Sequence, residues 1–182
     1  MNQSAVKIQD ICGIGVMTAV TAVMAQISIP MPMGVPMTMQ TFAVTLAAIV
    51  LGPGRGAASL FIYLLLGAVG VPVFAGFSGG MASLVGPTGG FLLSFPLMAF
   101  VIGLGVKNRQ KKGMFVLFLV LGTALNYAVG VLMFCLLMGS SVAAALTACV
   151  LPFLPTAVIK AVLASVLGLQ IRTRLAAAFQ WT

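Results

Sequence analysis

The sequence has one acidic residue, Asp10, and no histidine among its 182 residues. Without a second carboxylate there is no paired-carboxylate catalysis, and without histidine there is no imidazole to activate a nucleophile or ligate a metal. Most enzyme classes are thereby excluded; no catalytic residue and no metal centre is expected. Charged residues amount to 5% of the chain against 62% hydrophobic ones, a balance that no water-soluble domain of this length sustains. The chain is therefore expected to be an all-α integral membrane protein, with the lipid bilayer as its solvent. The three cysteines, Cys12, Cys135 and Cys149, show no CxxC spacing and fall in or beside apolar segments. There they act as small hydrophobes, and no cofactor is expected from them.

What is present are apolar runs at about 11–29, 39–51, 57–71, 90–106, 113–138 and 153–171, divided by Pro/Gly-rich or basic stretches. They predict six transmembrane helices forming a single transmembrane domain over 1–182. Eight of the nine basic residues then fall on one side: Lys7, Arg55, Lys107, Arg109, Lys111, Lys112, Arg172 and Arg174. The positive-inside rule reads that side as cytoplasmic, with both termini there and the protein in the plasma membrane. A net charge of +8 would point to nucleic acid in a soluble protein. Here the run from Lys107 to Lys112 is read as an orientation signal beside anionic headgroups, and no nucleic-acid partner is expected.

Val23-Met-Ala25 has the small-residue look of a cleavage site, but the apolar run continues through Ile27 and Ile29, so the first span is expected to be retained. Gly15, Ala19 and Ala22, with Thr18, Thr21 and Ala25, place small residues four apart on it. Such a face lets another helix approach closely, either within the chain or from a second membrane protein.

Two connections on the uncharged side are unusually apolar. The first, from Ile29 to Gln40, holds three prolines and the four methionines Met31, Met33, Met37 and Met39, which suits a lid of flexible, polarizable surface. A thioether site for Cu(I) is the weaker alternative, since no His or Cys is near to complete it. The third connection runs from Gly67 through Phe74-Ala75-Gly76-Phe77 to Thr88-Gly89-Gly90. Its glycines permit close backbone approach, and Phe74 and Phe77 offer flat apolar surface to a small, partly planar ligand. It lacks the GK[ST] ending of a phosphate loop. The helix starting at Thr88-Gly89-Gly90 would aim free N–H groups at an anionic group; tight turns between packed helices are the alternative.

Lys160 is the ninth basic residue, and it lies inside the sixth span. An ammonium near the bilayer centre costs about 2.5–3.5 kcal/mol on the insertion scale, and Asp10 belongs to the opposite face. Either Lys160 snorkels or caps backbone carbonyls, or its counter-ion is a small organic anion arriving from outside. Asn126, Tyr127 and Gln40 are the other buried polar groups available to orient such a ligand.

Several stretches carry a family resemblance: Val35-Pro-Met-Thr-Met-Gln-Thr-Phe-Ala-Val44, Leu51-Gly-Pro-Gly-Arg-Gly56, Leu66-Gly-Ala-Val-Gly-Val-Pro-Val-Phe-Ala-Gly76, Gly86-Pro-Thr-Gly-Gly-Phe91, Asn126-Tyr127 and Pro155 through Lys160-Ala161. Together they resemble the BioY family, the biotin-binding S components of energy-coupling factor (ECF) transporters, over nearly the whole chain. The resemblance implies a six-helix S-component fold with both termini cytoplasmic, biotin as ligand near the outer surface, and no enzymatic activity. It also implies a transmembrane coupling subunit and two cytoplasmic ATPases as partners, with Gly15, Ala19 and Ala22 as the docking face. A stand-alone transporter for another small carboxylate vitamin is the alternative. In one respect the chain departs from the pattern: the aspartate that the family commonly carries three residues before the lysine is Ala157 here.

Overall fold

The computed structural model describes residues 8–31, 34–111 and 113–179; Lys7, Met33 and Lys112 lie outside them. The described residues form eight α-helices and one short hairpin. In chain order they are α1 (Ile8–Gln26), β1 (Ser28–Ile29), β2 (Met37–Thr38), α2 (Gln40–Leu51), α3 (Pro53–Ala68), α4 (Met81–Leu84), α5 (Gly89–Lys107), α6 (Met114–Met138), α7 (Val142–Cys149) and α8 (Leu154–Phe179). α1, α5, α6 and the stretch 142–175 that includes α7 and most of α8 are long and apolar enough to cross a membrane.

α2 is the centre of the bundle. It has 12 residues, and all but Thr41 are buried. A helix apolar on every face has no solvent side and is enclosed by its neighbours. At about 18 Å it is shorter than a full bilayer span, and enclosure by protein removes the need to match the lipid thickness itself. Its C-terminal carbonyls are met by a charge from another helix: the Arg172 Nη1 of α8 donates to Ile49 O at 3.1 Å and Val50 O at 3.0 Å. Higher up, Gly168 of α8 leaves no room for a side chain against Ile49. Arg172→Met is therefore expected to strand two carbonyls, at a cost of about 2 kcal/mol. The detergent-solubilised protein should melt about 4–8 °C lower; an unchanged melting curve would refute the bracing role.

The Leu51-Gly-Pro-Gly-Arg-Gly56 stretch is the turn from α2 to α3. Gly52 takes φ +82°, which L side chains rarely adopt, and Pro53 opens α3 at its first turn. α3 thus starts four residues ahead of the sequence expectation. Arg55 then reaches Asp10 at the start of α1 at 3.1 Å, pairing the chain's acid at that end of the bundle. α5 and α6 pack along a seam of small residues, where a side chain on Gly90 would meet Val129 O at 2.7 Å and one on Gly122 would meet Ile102 at 2.7 Å.

Three further features depart from the sequence reading. The first connection contains the β1–β2 hairpin, in register Ser28↔Thr38 and Ile29↔Met37; Pro30 and Pro36 keep the pairing short because they lack the N–H a longer ladder needs. The fifth connection holds α7, whose first turn is capped by Ser141 Oγ accepting from Ala144 N. α8 continues past residue 171 to Phe179, carrying Arg172 under α2.

The small residues of α1 divide between two faces. Thr18 donates to Ser59 O of α3 at 2.9 Å, and Thr21 and Ala25 are buried beside it. Gly15 and Ala19 are exposed on the other side, and Ala22 packs against the core. The methionines of the first connection divide too. Met31 and Met37 pack on the Val35–Phe134–Phe153 cluster, and Met39 packs against the main core.

Candidate functional site

A cavity of about 430 Å³ opens at the bundle end opposite the Asp10–Arg55 pair. Its size falls within the about 300–1,000 Å³ typical of small-molecule sites. Three helix starts converge on it. α2 brings Gln40 and Thr41, α5 brings Phe91, Leu92 and Phe95 behind Thr88, and α8 brings Ala157 and Lys160. α6 contributes Asn126 and Tyr127, while Gly34, Val35 and Pro36 of the hairpin tip and Ala75, Ser78, Ala82 and Ser83 of the glycine-rich connection form the cover.

Lys160 lies six residues into α8, about 9 Å along it. Its Nζ donates to Thr38 O on β2 at 2.7 Å, so it does cap a backbone carbonyl, one of the two roles the sequence left open. An ammonium has three donors, and the same side chain lines the cavity. Asn126 is 2% exposed, and its Nδ2 donates to Phe91 O at 2.9 Å and Ser94 Oγ at 2.7 Å. Both amide hydrogens are thereby used, leaving Oδ1 as an acceptor. Tyr127 stands edge-on to Phe91, with ring centroids 6.4 Å apart.

Gln40 lines the cavity while tying its cover together. It accepts from Thr38 Oγ1 at 2.9 Å and donates to Tyr63 Oη at 2.7 Å, and Tyr63 donates onward to Val73 O at 3.0 Å. This chain links the hairpin to the glycine-rich connection through α3. Tyr63→Phe is expected to leave the Gln40 amide unpartnered and the Val73 carbonyl with only the 3.4 Å bond from Gln26 Nε2, costing about 1–3 kcal/mol. Thermal melting in detergent would show it, and an unchanged midpoint would count against the relay.

In the glycine-rich connection, Phe74 is 1% exposed, lies over Gly67 and meets the Tyr63 ring edge-on at 5.4 Å. It supports the wall as much as it faces the cavity. Gly76 and Phe77 turn outward. Both take positive φ, +68° and +55°, and Phe77 is 72% exposed; that tight turn points its ring away from the cavity, contrary to the flat-surface expectation. Gly89 and Gly90 also lie outside the wall. Gly89 sits against Leu84 O and donates its N–H to Gly86 O at 2.9 Å, while Gly90 is pressed onto α6. Their lack of side chains serves helix packing, and Thr88 is the member of that trio that lines the cavity.

The whole-chain comparison decides the family. The model of the BioY family matches residues 1–177. The chain belongs to the BioY family. It is 36% identical to the biotin transporter BioY2 of Lactococcus lactis subsp. cremoris over 165 residues, covering 90% of each chain. To the biotin transporter BioY of Thermotoga maritima it is 48% identical over 117 residues, 64% of this chain and 69% of that one. A probable biotin transporter BioY of Pyrococcus horikoshii is 50% identical over 99 residues, 54% of this chain and 60% of the relative's length. Among solved structures, the crystal structure of the S-component for biotin from an ECF-type ABC transporter aligns with a TM-score of 0.84. It is 27% identical and covers 95% of both chains. The protein has the S-component fold and is a multi-pass membrane protein of a transport family, not an enzyme.

Two groups of residues, one lining the cavity and one holding its cover, were not singled out from sequence. Phe91, Phe95 and Phe153 supply the aromatic lining; the i, i+4 spacing of the first two one turn into α5 was the available signal. Gln26, at the last residue of α1, donates to Phe74 O at 3.2 Å and accepts from Phe77 N at 2.8 Å. A polar residue ending an apolar span was its only mark.

Proposed function

We propose that this BioY-family chain is the biotin-capturing membrane subunit of an uptake transporter, taking biotin from the outer side and releasing it inward with an ATP-driven ECF module. The cavity carries this reading. It sets one ammonium, Lys160, among aromatic and apolar walls, with the Asn126 carboxamide and the Tyr127 hydroxyl beside it. Biotin has matching parts: a carboxylate on an alkyl chain, an apolar thioether ring, and a ureido group that needs both donors and acceptors.

In this reading all six expected segments cross the bilayer, α2 and α3 as short spans inside the bundle, with both termini cytoplasmic in the plasma membrane. Arg55 and Arg109 lie close enough to Arg172 to act on it electrostatically, which gathers arginines at the end away from the cavity. The positive-inside rule makes that end cytoplasmic and the cavity external. The exposed Gly15 and Ala19 of α1 provide a flat face for a coupling subunit, which would work with two cytoplasmic ATPases.

Isothermal titration of the purified chain with biotin should show saturable binding at one site per chain; no heat and no competition would overturn the reading. A cysteine placed at Lys111 should resist impermeant label applied to intact cells. Copurification with an ATPase module, and ATP-dependent biotin uptake with that module in vesicles, would test the coupling.

A further inference from the structure

We propose that Arg172 and Arg109 hold the phosphate of an anionic phospholipid at the end of the bundle away from the cavity, with an acyl chain lying in a cleft between α6 and α8. This site is independent of the cavity and of what binds there. α8 packs on α2, α6 packs on α5, and α2 and α5 pack on each other, while α6 and α8 barely touch. α2 and α5 therefore floor a cleft that α6 and α8 wall. Tyr127 and Lys160 meet at the cavity, so the two walls run antiparallel. Just below it, Thr123 of α6 and Ala161 of α8 line one small void with Thr45 of α2 and Met98 of α5. From there α6 runs back through Leu119 and Phe115, and α8 runs on through Leu169, all three packed half-buried on the core. Arg172 lies about 16 Å beyond Ala161 along α8.

Separate chain segments bring their cations to that end of the cleft. Gly103 of α5 leaves no room for a side chain against Pro53, which sets the end of α5 on the α2–α3 turn, and the half-buried Arg172 guanidinium lies against Gly52 of the same turn. Arg172 Nη1 is used on Ile49 O and Val50 O. Its Nε and Nη2 carry the other three of its five donors, and these have no acceptor among the described residues. Of the described basic residues between α5 and α6, Arg109 is the one that acts on Arg172 electrostatically, as Arg55 does from the turn. The chain's single acid, Asp10, is taken by Arg55 at 3.1 Å. Orientation in the bilayer needs basic residues on one side, but it does not need them drawn together, and like charges brought together repel. An anion between them removes that repulsion, and phosphate oxygens match the paired N–H donors of guanidinium. Arg172 stands about 27 Å along α8 from its first residue, close to the hydrocarbon thickness of about 30 Å. That depth is the level of the opposite headgroups, where basic pockets between helices take anionic lipids.

The test is native mass spectrometry of the full-length protein titrated in detergent with phosphatidylglycerol or with phosphatidylcholine of the same acyl chains. One phosphatidylglycerol should be retained per chain, and phosphatidylcholine, whose own ammonium repels the arginines, about tenfold more weakly. Arg109 is exposed and has no bonding partner among the described residues, so Arg109→Gln should fold normally and lower phosphatidylglycerol retention about fivefold or more. Lys111→Gln, the same loss of charge two residues further on, should leave retention unchanged, which separates a site from general surface charge. The melting midpoint should rise with phosphatidylglycerol in the unsubstituted protein and in Lys111→Gln, but not in Arg109→Gln. Equal retention of the two lipids, or equal retention by the two variants, would overturn the proposal. Inorganic phosphate in millimolar excess should not displace the lipid; complete displacement would mean that the site takes free phosphate, and would overturn the lipid assignment.

Discussion

Lys160→Met is expected to weaken biotin binding by roughly 100-fold, the largest single loss among the cavity side chains. Methionine keeps the length and apolar stem of lysine but removes the charge. Truncating one partner of a buried charge pair costs about 2–5 kcal/mol, and about 3 kcal/mol corresponds to roughly 100-fold in Kd. The same change deletes the 2.7 Å bond to Thr38 O, so the ligand-free protein should also lose a few degrees of thermal stability. These two effects separate in measurement: melting without ligand reads the hairpin anchor, and titration reads the ligand contact. Full affinity in Lys160→Met, with only melting affected, would reduce the lysine to a structural cap.

Gly67→Ala is the second large effect, and it runs against the usual expectation. Glycine to alanine within a helix normally stabilises by up to about 1 kcal/mol, and Gly67 is in the last turn of α3. Here the new methyl would fall within the Phe74 ring, which covers Gly67 directly. The ring is 1% exposed and packed on Tyr63, so it has nowhere to retreat within the core. Overpacking costs about 1–3 kcal/mol, and expelling the ring forfeits about 1.5–3 kcal/mol of burial. A net loss of about 3 kcal/mol or more is a large share of a typical stability of about 5–15 kcal/mol. The variant should melt well below the unsubstituted protein and bind biotin poorly, because Phe74 also lines the cavity. Adding Phe74→Ala should restore part of the stability lost to Gly67→Ala. If the double variant is instead as unstable as the two changes summed, the ring is not what the methyl strikes.

The legible residues were those whose chemistry conflicts with their surroundings. Lys160 in an apolar helix and Asn126 in the middle of the most hydrophobic one declare themselves, because lipid tolerates neither without a partner. The structure brings both to one cavity with Gln40, Phe74, Ala75, Thr88 and Tyr127. The residues whose place the sequence could not give are those whose role depends on direction. Phe74 and Phe77 differ by three positions, yet one is buried under α3 and the other is exposed, since a left-handed turn at Gly76 lies between them. Gly89 and Gly90 carry the same mark as any flexible loop glycine, but they are spent on contact with Leu84 and α6. Phe91 and Phe95 carry no such mark of their own, because an aromatic in an apolar helix creates no conflict to notice.

Composition alone pointed to a helical membrane protein without paired carboxylates or histidine, because hydrophobicity and charge are properties of the residues themselves. The motif pattern placed it in its family. Which helix ends meet was decided only by tertiary structure: that α2, α5 and α8 begin around one cavity, that Arg172 closes the far end of α2, and that Phe74 turns in while Phe77 turns out. Such facts depend on crossing points and turn handedness, set by which neighbour leaves room for which side chain, and no local run of residues encodes them.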